Sequence, residues 1–161
     1  MAVPPDVQRL RRSLASLSRE AKDQRWDGER PWRARTHVWD EQGVVVVDLH
    51  DLKVALAKKV VDRVVDCAGD LEGGAVIFVT GVGRHSAGKA VLPDVVAGKL
   101  QAVAAERGWT ARPGPAGRQV LVLDADRAPS HLRGGVSWAA AAMLLFMVLA
   151  AVWLCAGRPG L

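Results

Sequence analysis

Two short polar motifs, each at the end of an apolar run, carry the side chains of this chain best suited to chemistry. Val44-Val45-Val46-Val47 leads into Asp48-Leu49-His50, and Ala75-Val76-Ile77-Phe78-Val79 leads into Thr80-Gly81-Val82-Gly83-Arg84-His85-Ser86. Side chains two apart on a strand share a face, so Asp48 and His50 are expected to point the same way. A carboxylate beside an imidazole fixes its tautomer and suits it to general-base work near neutral pH. In the second motif, Gly81 and Gly83 allow the backbone to approach an anion closely, and their N–H groups can form an anion-binding nest. Arg84 and Lys89 add positive charge where a phosphodiester transition state needs it. The chemistry expected is phosphodiester cleavage. His50 activates water or a ribose 2′-hydroxyl and Asp48 orients it, while Thr80, Gly81, Gly83, Arg84, His85, Ser86 and Lys89 bind the phosphate. The plainer alternative is that Asp48 and His50 only cap a helix start and satisfy loop backbone.

The elements that must position these residues are legible as periodicity. A β-branched run bounded by turn residues reads as a buried strand, and two such runs separated by a helix-length segment read as a βαβ unit. Strand C-termini of such units open into one crevice, where the two motifs converge. Between them Leu56, Val60 and Val64 form one apolar row and Ala57, Val61 and Val65 the next. Lys58, Lys59, Asp62, Arg63 and Asp66 take the opposite face, which predicts an amphipathic helix ended near Gly69. Pro93 suits the first turn of a second helix with Val96, Leu100 and Val103 inward and Gly108 at its C-cap. Segments 109–112 and 118–124 predict two strands joined by a Pro-Gly-rich turn. The expected class is α+β, a two-layer sandwich of order β-α-β-α-β-β.

In this order and context the motifs resemble those of the Smr (small MutS-related) domain, whose LDxH follows its first strand and whose TGxG or HGxG follows its second. The first stands here as Val47-Asp48-Leu49-His50 and the second as Thr80-Gly81-Val82-Gly83, with Arg84-His85-Ser86 resembling the extension of many eukaryotic members. The resemblance covers residues 43–124. It implies a fold similar to the C-terminal domain of bacterial translation initiation factor 3, and it implies nicking or RNA endonuclease activity. Three positions depart from the pattern: Val47 replaces leucine, Asp51 stands where glycine is usual, and Lys53 stands where Ser or Thr caps the first helix.

The remaining residues set the context. Residues 136–156 carry no charge and, at about 1.5 Å per residue, would span roughly 31 Å, the thickness of a bilayer's hydrocarbon core. Trp138 and Trp153 sit near the two ends, as an aromatic belt would place them. This predicts a single-pass, tail-anchored membrane protein with its domain on the cytosolic or stromal/matrix side, organelle membranes included. The alternative is a buried Ala-rich core helix. Residues 125–135 read as a juxtamembrane linker and 157–161 as a short tail. Net charge is +5 and the sequence pI near 9.8, which favours polyanion partners. Cys67 and Cys155 fall in separate elements, so no disulfide framework is expected, and no apolar h-region of a secretory signal is visible.

Residues 1–40 form a basic extension. Val7, Leu10, Leu14 and Leu17 have helical spacing among Arg9, Arg11, Arg12 and Arg19. A helix docked on the domain, a nucleic-acid or membrane-surface patch, and a targeting segment all fit. Trp26, Trp32 and Trp39 alternate with arginines either to stack bases or to pack against the sheet edge. His37 and His131 are expected to be solvated.

Gly83 to Lys89 also spells G-x-x-x-x-G-K, but Ala90 replaces the Ser/Thr that would hold magnesium and Pro93 would break the helix due there. Four histidines and two separated cysteines give no zinc spacing, so no cofactor is assigned and only a divalent ion such as magnesium is kept open. The expected function is membrane-anchored nucleic-acid binding, RNA favoured over DNA, with nicking activity. The rivals are a non-catalytic RNA- or protein-binding module and an accessory subunit of a membrane assembly.

Overall fold

The computed structural model describes residues 3–22, 31–81 and 91–133. The chain divides into two compact units, Met1–Pro129 and Ser130–Leu161. In the first, α1 (Pro5–Ser13), α2 (Ala15–Lys22) and the single-turn α3 (Ala34–His37) lead into β1 (Val38–Glu41) and β2 (Val44–Asp48). Then come α4 (Val54–Ala68), β3 (Ala75–Val79), α5 (Val91–Arg107), β4 (Thr110–Pro113) and β5 (Arg118–Val122). In the second unit the described residues are those of α6 (Ser130–Arg133).

The five strands make one mixed sheet in the order β1-β2-β3-β5-β4. β2 and β3 are parallel, as a βαβ unit requires, and the other three pairings are antiparallel. The class is therefore mixed α+β, and the segment from β2 to β5 has the expected β-α-β-α-β-β order. One strand was not expected. Val38–Glu41 buries only Val38 fully and ends in two acids, too weak an alternation to stand out in the sequence. It pairs with β2 through a two-residue turn at Gln42 and Gly43, both at positive φ.

Register sorts the strand residues by face. Val38, Val45, Val47, Val76, Phe78 and Leu121 lie on one side and pack with Leu56, Val60 and Val64 of α4 and with Val96 and Leu100 of α5. The basic extension joins the same core through Val7, Leu10, Leu14, Leu17 and Ala21, all buried. The docked-helix reading of that segment thus holds for α1 and α2. The opposite face carries Val44, Val46, Ala75, Ile77, Val120 and Val122, buried as well. Burial on both faces is why β2 and β3 read as continuous apolar runs rather than alternating ones.

α4 is rich in valine, which forms helices poorly, so packing rather than propensity holds it. Its N-cap is Lys53, which makes no side-chain cap, as the missing Ser/Thr implied. Gly108 follows α5 at φ +68°, the left-handed position that ends many helices. No described helix is long and apolar enough to cross a membrane. The expected span 136–156, like the last two residues of the linker 125–135 and the whole tail, lies outside the described residues.

Candidate active site at the ends of the parallel strands

β2 alternates its side chains so that Val45, Val47 and Leu49 enter the helix-side core. Leu49 is fully buried there, which turns Asp48 and His50 to the other side together. The Leu49 N–H donates to the Val79 carbonyl at 2.8 Å and pins the motif to the end of β3. Asp48 is 9% exposed, and its Oδ1 lies 2.5 Å from His50 Nδ1. The same oxygen accepts from the His50 backbone N–H at 3.1 Å. The expected carboxylate–imidazole pair is therefore formed, with the Asp48 side chain orienting the ring and not merely capping α4.

The far side of the ring is also engaged. His50 Nε2 lies 2.9 Å from Asp51 Oδ1, and Asp51 Oδ2 lies 3.4 Å from His37 Nε2. The position where glycine was the expected pattern thus supplies a second carboxylate. Neutral imidazole has only one N–H, so it donates to one of these carboxylates at a time and reaches both only when protonated. His37 corrects an expectation. It is not a solvated linker residue, because its side chain is mostly buried, bridges to Asp51 and stacks on Trp32 at 5.7 Å between ring centroids. Its Nδ1 sits 3.2 Å from the Arg33 backbone N–H and 2.9 Å from Thr36 Oγ1. Nδ1 also lies 3.0 Å from the Arg33 carbonyl oxygen, so either tautomer finds a partner in this turn.

Trp32 is 2% exposed and donates from Nε1 to the Asp48 carbonyl at 2.6 Å. Of the two expectations for the tryptophan-arginine segment, packing therefore wins at Trp32: its ring has no face open to a base. Extending the β1–β2 register from Val38↔Val47 by one pair sets His37 opposite Asp48. The sequence held that signal, but only for a reader who had already recognised β1.

The second motif meets the first at Gly81, where an added Cβ would lie 3.3 Å from His50 Cβ and the backbone adopts φ +74°. Thr80 is 4% exposed and its hydroxyl donates to the Gly117 carbonyl at 2.8 Å. Its backbone N–H reaches the same carbonyl at 2.9 Å. Thr80 thus braces the loop against the β4–β5 turn and does not offer its hydroxyl to a phosphate. Gly83, Arg84, His85, Ser86 and Lys89 lie outside the described residues.

Opposite Val79 in the sheet, Arg118 forms a two-point ion pair with Glu41, at 2.7 and 3.1 Å. The hydrogen bonds that the guanidinium donates to that carboxylate, more than the carboxylate's charge, hold it above the ordinary arginine value, against a smaller opposing effect of burial. Among the described residues no group of three or more His, Cys, Asp or Glu is arranged to hold a metal ion. Asp48, His50, Asp51 and His37 form instead a line of hydrogen-bonded donors and acceptors. No protein-family model, curated protein or solved structure matches this chain.

Proposed function

We propose that the chain is an Smr-like domain that binds nucleic acid, RNA in preference to DNA, and cleaves its phosphodiester bonds with Asp48 and His50. The supporting observation is the 2.5 Å contact between Asp48 Oδ1 and His50 Nδ1 beside Gly81 of the second motif. With Nδ1 committed to Asp48, Nε2 is the working nitrogen. Substrate entering the crevice displaces Asp51 from Nε2. With Asp51 displaced and Nε2 free of its proton, neutral His50 takes the proton of the attacking hydroxyl at Nε2, and Asp48 at Nδ1 steadies the imidazolium that forms. A divalent ion such as magnesium would enter with the substrate phosphates. The uncharged stretch 136–156 supports a membrane-held form of this domain.

One observation favours binding without turnover: Asp51 occupies the nitrogen that catalysis needs. Incubating the full chain with labelled RNA and with supercoiled DNA, with magnesium and with chelator, separates the two. Cleavage that disappears in His50→Ala supports the catalytic reading. Binding with no cleavage, or cleavage that survives His50→Ala, rejects it. For the anchor, the chain should stay with the membrane pellet after carbonate extraction, and its release would reject a span.

A further inference from the structure

α1 and α2 turn their apolar sides into the core and their basic sides outward, toward α3. Between them lies a cavity of about 530 Å³ whose described lining includes Arg11, Arg12, Arg19, Lys22, Arg33 and Arg35 and no carboxylate. Ser18 Oγ accepts from the Ala34 backbone N–H at 2.9 Å and ties the two walls together. Arg11 is held in the wall by donating from Nε and Nη2 to the Val38 carbonyl, at 3.0 and 2.7 Å. The other five cations are exposed, and none of them forms an ion pair among the described residues.

We propose that this cavity is a phosphate-binding groove for the backbone of a single nucleic-acid strand, set beside the Asp48–His50 site. Positive charges gathered in a concavity focus their field, and arginine forks match phosphate oxygens. The placement fits one continuous ligand. Arg33 belongs to the cavity wall, while its backbone contacts His37, which reaches Asp51 and through it His50. One turn of α3 therefore separates the groove from the line of side chains that ends at the working histidine. A bilayer surface fits less well. Membrane-binding amphipathic helices insert apolar side chains, but Val7, Leu10, Leu14, Leu17 and Ala21 are already in the core. With Trp32 buried too, the described lining of the groove offers charge and no aromatic side chain, which suits phosphates more than bases.

This groove rests on the nucleic-acid reading above, and binding measured apart from cleavage keeps the two separable. The experiment follows the anisotropy of a labelled single-stranded RNA with the full chain in neutral detergent across a salt series. Arg12→Gln/Arg19→Gln/Arg35→Gln should weaken binding at least tenfold at low salt. Its log K against log salt slope should fall by about 2, near 0.7 for each phosphate contact on a single strand. The matching triple Arg→Lys variant should recover most of the slope. Failure of the lysine variant to recover it would mean that the cavity acts through folding, and would overturn the proposal. Wild-type binding and slope in the glutamine variant would overturn the groove but leave the Asp48–His50 reading standing. Absence of RNA binding by the wild-type chain would overturn both. Preferential binding to phosphatidylserine vesicles, lost in the glutamine variant, would overturn the strand assignment in favour of a membrane.

Discussion

Trp32 reaches sixteen residues along the chain to donate its indole N–H to the main-chain carbonyl of Asp48. The bond is buried and lies where β2 gives way to the first motif, so the indole fixes the peptide that aims Asp48 at His50. Trp32→Phe keeps most of the ring but leaves that carbonyl without its donor. A buried acceptor left unsatisfied costs about 1–3 kcal/mol. Urea denaturation should show a loss of that size, and substrate cleavage should fall with it.

Removing the pair itself should affect turnover more than stability. General acid–base groups contribute roughly 10²–10⁴-fold to rate, so His50→Ala and Asp48→Asn should each lower RNA cleavage by at least ~10²-fold. Anisotropy should show RNA affinity within a few-fold of wild type. A variant that loses affinity and cleavage in proportion would place these residues in binding instead.

Asp51 is the test of how His50 is held. In the wild-type chain each ring nitrogen of His50 faces a carboxylate, so ¹⁵N spectra should show more of the doubly protonated ring than in Asp51→Gly at the same pH. In Asp51→Gly the Nε2 partner is gone, and the spectrum should shift toward the single Nδ1–H tautomer that Asp48 selects. Spectra that do not change would separate Asp51 from the protonation of His50.

Glycines with positive φ should differ in their sensitivity according to what surrounds them. At Gly43 a Cβ meets nothing within 4 Å, so Gly43→Ala carries only the backbone cost of about 1 kcal/mol. At Gly117 a Cβ would stand 2.5 Å from the Gly81 carbonyl oxygen, a contact that the backbone can relieve only by moving. Gly117→Ala should therefore destabilise by about 3 kcal/mol or more and should also reduce cleavage, while Gly43→Ala should leave cleavage intact.

The Glu41–Arg118 pair gives a pH prediction with a definite sign. Arg118 is raised in the folded state, so its stabilisation is fully present below the ordinary arginine value and is lost only as pH rises through the raised one. Both side chains are partly exposed, so screening limits the pair to roughly 0.5–1 kcal/mol. The stability difference between wild type and Glu41→Gln should therefore stay constant from about pH 7 to pH 10, and a decline over that range would contradict it.

Much of this architecture could be read from the chain because the information was local. Val44–Val47 and Ala75–Val79 are bounded β-branched runs, and the helix between them repeats its apolar residues with helical period. The meeting of Asp48 and His50 needed only the two-residue period of a strand. What escaped depended on pairing between distant segments. β1 has too little apolar alternation to declare itself and exists because β2 offers it an edge. His37 and Trp32 acquire their roles only through that pairing, which sets them over Asp48. Thr80 looked like a phosphate ligand because it opens a glycine-containing motif, yet its hydroxyl is claimed by a turn whose position no local pattern reveals.

The contact of Gly81 with Gly117 has one last consequence. The β4–β5 hairpin contributes none of the chemistry-bearing side chains, but its turn is the anvil on which the second motif is shaped. A fragment that ended with α5 would hold Asp48, His50, Asp51 and the whole glycine loop. It would still lack the Gly117 carbonyl that takes both hydrogen bonds from Thr80. The smallest unit able to build this site is therefore larger than the span between its motifs, and assembly of the crevice must wait until the last strand has docked.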